Sequence, residues 1–541
     1  MSSPKPSTIR VGKRYRENRL NGPYDAIIIG SGIGGLTAAA CMSKMGQKVL
    51  VLEQHYTAGG FTHSYDRNGY EWDVGVHYIG DMGADHTMGK RLFDHITDGQ
   101  LKWAPMDANY DRIFLGEKHV DLVAGPGAFR AELVKTFPEE EKAIDTYLGY
   151  LRKVSKAMPG IVLGKVLPDL AAGPLSMLTK RRAPDFLNKP TREVLEGITS
   201  NQELIAVLTG QWGDNGLPPA ESSFIIHSLI ARHYLHGGYY PIGGASEMAK
   251  TIIPVVQQSG GEVFTYADVT GILIEKGKAV GVRMADGAEI RSPLVISNAG
   301  VFNTFNKLLP EDAPEWSYYQ DKLKTVKRSM ASNCLYIGLQ DTAENLGLPK
   351  TNYWIYPGPN YEKQIQDFMD NPEANDIPLT YISFPSAKDP SFSKRYPGRA
   401  TIEIVAPGPF EWYEEWSEKT WGKRGDEYEA RKEEYAQRLL AKLYEKFPHL
   451  EGKVDYYELS TPLSTDYFCR YSEGEIYGLD HTPDRFELDW LKPKTRIPGL
   501  YLTGQDIMTC GVVGAMLGGL LTTVAVSGFK GLPLAKKMFV G

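Results

Sequence analysis

Four groups of residues in this sequence have types and spacing that could do chemistry. The first is the loop Gly30-Ser31-Gly32-Ile33-Gly34-Gly35, which reads Gly-x-Gly-x-x-Gly. Each glycine of that spacing has a mechanical role, since Gly30 makes a tight turn, Gly32 lets a pyrophosphate approach the backbone, and Gly35 lets a helix pack on a strand. Glu53 follows 23 residues after Gly30, with Gln54 beside it. A carboxylate at that separation can accept hydrogen bonds from the 2′- and 3′-hydroxyls of a ribose, and it favours a ribose without a 2′-phosphate. The second group is Ala58-Gly59-Gly60, a glycine pair for which a plain nicotinamide-binding unit has no general need. The third is Asp73-Val-Gly75-Val-His77-Tyr78-Ile-Gly80, where glycines among polar and aromatic residues suit a backbone running close beside a ring system. The fourth is Gly504-Gln505-Asp506 with Val513-Gly514 after it. Asp506 would accept a bond from a polyol hydroxyl, and the helix after it would turn its N-terminus to a phosphate or a ring edge.

These groups need elements to position them. Residues 24–30 form a short apolar run of the kind a buried parallel strand needs, residues 36–46 read as a helix, and residues 48–53 read as the next strand. That is a βαβ unit. Residues 246–258 predict a helix, and residues 262–298 alternate apolar and polar side chains around turns at 275–278 and 285–287, a meander in which the backbone of Val269 would reach an adenine. Residues 294–300 predict a strand returning to the first sheet. Between 101 and 235 the texture is helical with few strand signals, which suggests an inserted domain. Within it, residues 158–178 carry only Lys165 and Asp169 as charges, hold Pro159, Pro168 and Pro174, and lead to Lys180-Arg181-Arg182. Three prolines argue against a spanning helix, leaving an interfacial patch over residues 158–182 (Met158 to Arg182) or a core hairpin. Residues 301–489 predict strands at 334–339 and 400–405 and a charged helix at 426–447 with Ala436, Leu440, Leu443 and Phe447 on one face. Residues 507–529 carry no charge, yet six glycines and four threonines within 499–527 favour a buried helix over a membrane span.

Composition removes other classes. The chain has 541 residues, 60 Lys and Arg against 66 Asp and Glu, and a net charge of −6, so nothing global attracts nucleic acid. Cys41, Cys334, Cys469 and Cys510 lie far apart with no C-x-x-C pair, which suits a reducing, cytoplasmic setting. Six basic residues precede Tyr24 with no apolar core after them, so residues 1–22 read as a solvated basic tail, or an arm for anionic lipid, rather than a secretory signal. No H-E-x-x-H or tight His/Asp cluster points to a metal, and no G-x-S-x-G elbow points to a hydrolase.

With these elements in place, the chain resembles the FAD-dependent family of phytoene desaturases, carotenoid isomerases and retinol saturases, closest to the saturase-like branch. The residues that carry the likeness are the glycine loop, Leu52-Glu53-Gln54-His55, Ala58-Gly59-Gly60, Asp73 to Gly80, Gly474-Glu-Ile-Tyr477-Gly478-Leu-Asp-His481, and Leu502-Thr-Gly504-Gln505-Asp506. The resemblance implies an α/β fold: a Rossmann-type FAD-binding domain of the amine-oxidase/glutathione-reductase type with an inserted mixed α+β substrate domain. FAD-binding parts would occupy residues 23–100, 235–300 and 490–541, a mainly helical substrate or membrane-contact region 101–234, and the substrate domain 301–489. It also implies a noncovalent FAD and hydride exchange between flavin N5 and a carbon of a lipophilic substrate such as a retinoid, a carotenoid or an unsaturated fatty acyl chain. Polyene cis-trans isomerisation and amine or amino-acid oxidation are the alternatives. A chain with few heteroatoms leaves the flavin as electron sink and the protein as holder, so few acid–base residues are expected. The candidates for delivering a proton are Tyr78, Tyr477 and His481, with His77 next. Phe61 stands after the glycine pair where desaturase relatives commonly have arginine.

Overall fold

The computed structural model describes residues 7–166 and 185–539. The run Ala-Ile-Ile-Ile is apolar on both of its faces, and it is buried along its length as a strand in the middle of a sheet. That sheet has six parallel strands: β1 (Lys13–Arg14), β2 (Ala26–Ile29), β3 (Val49–Leu52), β4 (Glu262–Thr265), β5 (Val295–Ser297) and β6 (Leu500–Leu502). Their spatial order is β1-β4-β3-β2-β5-β6, so segments hundreds of residues apart in sequence lie side by side. Helix α1 (Ile33–Lys44) leaves the C-terminal end of β2 and is buried on nearly every side. Ligands of parallel sheets bind beyond that end of the strands.

Helix α2 (Gly511–Ser527) crosses α1 at glycines: a Cβ on Gly519 would lie 2.4 Å from the Gly34 carbonyl oxygen. Residues 516–524 of α2 are buried, and the helix stops at Gly528, whose φ is +54°. One described stretch, Gly511–Phe539, is apolar and long enough to cross a membrane by length and composition, with 50% of its most apolar window buried inside the fold.

A second lobe is built on a seven-stranded sheet. Its strands, in spatial order, are Val454–Ser460, Ser332–Gln340, Arg399–Pro407, Thr380–Ser383, Asn352–Tyr356, Asn109–Leu115 and Lys118–Val123. The helix Asp426–Lys446 covers it with Ala436, Leu439, Leu440 and Leu443. The predicted meander is a separate antiparallel sheet of Val269–Glu275, Lys278–Met284 and Glu289–Arg291.

Two expectations change. The basic N-terminal segment is not a solvated tail from Ser7 onward: β1 pairs with β4, Val11 is buried, and the Val11 amide donates to Thr57 Oγ1 at 3.0 Å. Backbone pairing, which is blind to side-chain charge, explains why a basic stretch is held there. The stretch expected to be helical from 101 onward begins with three strands, two of which complete the seven-stranded sheet. Further on it is helical, with Glu141–Val166 containing Pro159. Of the apolar stretch 158–182, residues 167–182, with Pro168, Pro174 and the basic triplet, lie outside the described residues.

Candidate active site

Both lobes and the helices between them surround a cavity of about 980 Å³. Its walls include Gly30, Gly32 and Gly34 from the first turn and Gly504, Val513 and Gly514 from the last. These turns are in backbone contact, because a Cβ on Gly34 would lie 2.6 Å from Gly504 Cα. Gly60 closes on the same loop, with room of only 2.9 Å between its Cβ position and Gly32 Cα, while Gly59 forms an isolated parallel bridge with Gly32. Gly35 faces away from the cavity and lets α1 pack on the Gly30 carbonyl at 2.4 Å from its Cβ position.

Glu53 is buried and lines the cavity. Its Oε2 accepts from the Ser31 amide at 2.8 Å and the Ser31 hydroxyl at 2.7 Å, and its Oε1 accepts from the His55 amide at 2.8 Å. Ser31 therefore acts behind the wall, orienting the carboxylate and accepting from the Gly59 amide at 3.1 Å. Gln54 lines the cavity while its amide bridges the Phe468 carbonyl and Arg470. Val269 opens the meander and also lines the cavity.

Whether a flavin-type dinucleotide fits can be tested on the polar atoms. Asp506 is buried, and burial raises its carboxyl above the usual range. Oδ2 accepts from the Val301 amide at 2.8 Å and Oδ1 lies against the backbone of Gly478 and Leu479, while the buried Thr503 hydroxyl next along the wall has no partner among the described residues. A buried hydroxyl without a protein partner beside a cavity is a group that a polyol chain would satisfy. The first turn of α2 presents Val512, Val513 and Gly514 to the same space, and its N-cap, Cys510, makes no side-chain cap. Free amides at a helix N-terminus suit an electron-rich ring edge. Phe61 stacks on Tyr471 at 6.0 Å between ring centroids and puts no cation beside the phosphate loop.

The four candidate proton donors separate. Tyr78 and Tyr477 line the cavity, as does His77. Tyr78 donates to Asp111 Oδ2 at 2.8 Å and stacks on Tyr234 at 4.0 Å. His77 Nδ1 lies 2.8 Å from Glu403 Oε2; burial pushes the imidazole down to about 3 and the Glu403 carboxyl up to about 8. A neutral His77 donating to Glu403 satisfies both. His481 corrects the sequence reading: it is fully buried and absent from the cavity wall. Its Nε2 accepts from the Cys510 amide at 2.9 Å and faces Arg485 at 2.9 Å. That fixes the proton on Nδ1, so His481 anchors the start of α2 from behind and has no proton to give the cavity.

Sequence reasoning passed over Asp111, Asp214, Lys388 and Glu403. Asp214 lies in Trp212-Gly-Asp-Asn-Gly216, a glycine-flanked turn of the kind that singled out Tyr78, so a signal existed. Asp111, Lys388 and Glu403 had none, since they lie on elements brought together only by the seven-stranded sheet. Among the described residues no group of His, Cys, Asp and Glu could hold a metal.

A family model described as an NAD(P)-binding Rossmann-like domain matches residues 28–96, from the glycine loop to beyond Gly80. All-trans-retinol 13,14-reductase of Homo sapiens is 39% identical over 534 residues, which cover 95% of this chain and 87% of that protein. The chloroplastic prolycopene isomerase of Arabidopsis thaliana is 28% identical, over 97% of this chain and 86% of its own. Cyclohexylamine oxidase from Brevibacterium oxydans superposes with a TM-score of 0.59 at 15% identity, covering 95% of this chain and 100% of that one, and shares the fold. Fold, cavity and near-full-length similarity agree: this chain is a flavin-dependent oxidoreductase belonging to the family of the all-trans-retinol 13,14-reductases.

Proposed function

We propose that this protein binds FAD noncovalently and reduces a carbon–carbon double bond of a retinoid or closely related polyene. The observation that carries the cofactor reading is the contact between the first and last glycine turns around one cavity that Asp506 and the Thr503 hydroxyl also border. In this reading the loop from Gly30 to Gly34 cradles the pyrophosphate, Glu53 and Gln54 take the adenosine ribose, and the Val269 backbone meets the adenine. Gly59 and Gly60 keep the backbone close to the polyol chain, Asp506 accepts a ribityl hydroxyl, and Val513 and Gly514 face the ring edge. When bound, the flavin supplies two-electron hydride chemistry.

The rest of the work falls to the protein. The cavity wall contributed by the helices Glu141–Val166 and Phe224–Tyr234 is apolar at Met158, Val162, Ile226, Leu229 and Ile230, which suits a hydrocarbon chain and excludes water from it. The amine-oxidase alternative carries less, because it rests on a shared fold at 15% identity. Isomerisation of a polyene remains the second reading, favoured by the plant relative. The free cysteines fit a cytoplasmic protein, and peripheral membrane contact near residues 158–182 would bring a lipophilic substrate to the cavity.

Purified protein carrying reduced flavin should be re-oxidised anaerobically by all-trans-retinol, with a dihydro product gaining two hydrogens by mass spectrometry. A product of unchanged mass and altered double-bond geometry would select isomerisation. Rapid reduction of the oxidised flavin by a polar amine, with no response to polyenes, would defeat both readings.

A further inference from the structure

We propose that Asp214 is the acid that supplies the proton accompanying hydride transfer to the carbon–carbon double bond, an inference that rests on the polyene reading above. Asp214 lines the cavity between two of the groups that wall it. Its backbone carbonyl accepts from Cys510 Sγ at 3.5 Å, at the N-terminus of α2, and its Oδ2 lies 3.5 Å from the hydroxyl of Tyr78.

The proton inventory around it is asymmetric. Tyr78 has one phenolic proton and stands between two carboxyls, 2.8 Å from Asp111 and 3.5 Å from Asp214. Asp111 takes that proton's hydrogen bond and accepts two more, from Gln211 Nε2 at 2.7 Å and Asn352 Nδ2 at 2.9 Å. Three donors on one carboxylate stabilise its charge, and none of the three is left for Asp214. Among the described residues, the other titratable groups that feel Asp214 are phenols and a thiol: Tyr234, Tyr356, Tyr381, Tyr477 and Cys510. The buried cation Lys388 donates to the His77 carbonyl, Asn352 and Ser383 and acts on Asp111 and Glu403. Two buried carboxyls sharing one tyrosine cannot both ionise, so the one with fewer donors keeps its proton. Burial and the neighbouring Asp111 accordingly push Asp214 well above the carboxylate range. The result is a neutral acid on the cavity wall whose proton can point either at Tyr78 Oη or into the cavity.

Atoms and electrons balance in this step. The π bond of the substrate breaks; a hydride from reduced flavin brings both electrons and forms one C–H bond, and the Asp214 proton forms the other. Asp214 is left as a carboxylate and the flavin oxidised by two electrons. A proton returns from solvent to Asp214, with Tyr78 turning its hydroxyl to the new anion in the interval.

The test is the Asp214→Asn variant, read by carboxylic-acid C=O infrared difference spectra and by polyene reduction. Wild-type protein should show a protonated carboxyl at neutral pH that Asp214→Asn removes, and Asp111→Asn, which takes away the neighbouring charge and frees the Tyr78 hydroxyl, should lower the pH at which that band is lost. Asp214→Asn should bind flavin normally but reduce the polyene about 10²-fold or more slowly, with KM little changed. Because the acid form is the active one, wild-type reduction should fall as pH rises through the Asp214 pKa, and the variant should lack that limb. Should Asp214→Asn lose flavin, Asp214→Glu decides: a restored acid band and rate support the assignment, and the absence of either overturns it. An unchanged infrared band, or a variant as fast as wild type, overturns it too. Failure of the polyene reading looks different, since wild-type reduced flavin would then be re-oxidised by no polyene.

Discussion

Glu53 holds two jobs in one carboxylate. It ties Ser31 and His55 to the end of β3 through three hydrogen bonds of 2.7–2.8 Å, and it lines the cavity where a ribose would lie. Replacing it with alanine removes acceptors from both the loop and the nucleotide. Hydrogen bonds to a charged group are worth about 1.5–3 kcal/mol each, so Glu53→Ala should raise the dissociation constant of FAD by about 10- to 100-fold or more. Equilibrium dialysis against free FAD measures this, and unchanged occupancy would mean that the nucleotide lies elsewhere. His481 teaches the opposite lesson. A histidine in a glycine-flanked segment looks like a proton donor in sequence, but the nitrogen that could have served accepts from the Cys510 amide. Which atom of a side chain faces a cavity is not written in its neighbours along the chain.

At the scale of elements, the site depends on how closely α1, α2 and their turns approach. Gly34 has backbone on two sides: a Cβ there would meet Gly504 Cα at 2.6 Å and the Ala515 carbonyl oxygen at 2.9 Å. Neither neighbour is a flexible side-chain end, so Gly34→Ala must push the two turns apart. We expect it to abolish flavin binding and to lower stability by about 1–3 kcal/mol, as overpacking of a tight interface does. The helix Asp426–Lys446 and the seven-stranded sheet should stay intact, so far-ultraviolet circular dichroism should change little while flavin absorbance is lost. A yellow Gly34→Ala protein would refute the close-approach argument. Much of this architecture was legible beforehand: the βαβ unit, the meander, the returning strand and the amphipathic helix all announce themselves by period and glycine placement. The strand Asn109–Leu115 did not, because its sequence puts Asp111 and Arg112 at its centre. A buried charge in a strand is tolerated only when partners such as Tyr78, Gln211 and Asn352 converge on it, and these lie 33 or more residues away. β1 was hidden for a related reason, since two basic residues pairing by backbone alone carry no apolar signature.

Across the whole molecule, the cavity is walled by segments from both ends of the chain, with Gly30 and Gly511 on the same space. The parallel sheet enforces this, because β5 lies between β2 and β6 and so holds the turns that follow those two strands one strand apart. A ligand that grips both ends stabilises only the folded state, by about 2.7 kcal/mol at a free concentration 100 times its dissociation constant. Flavin loading should therefore raise the unfolding midpoint, and it should slow amide hydrogen exchange in two separated stretches at once, residues 30–35 and 504–514. Protection of the strand Lys118–Val123, at one edge of the second sheet and with no residue on the cavity wall, should change little. Comparing apo and flavin-loaded protein by exchange and mass spectrometry separates the outcomes. Joint protection of the two stretches is expected from a cofactor bridging both turns, whereas protection of only one would mean that the first and last turns serve different ligands.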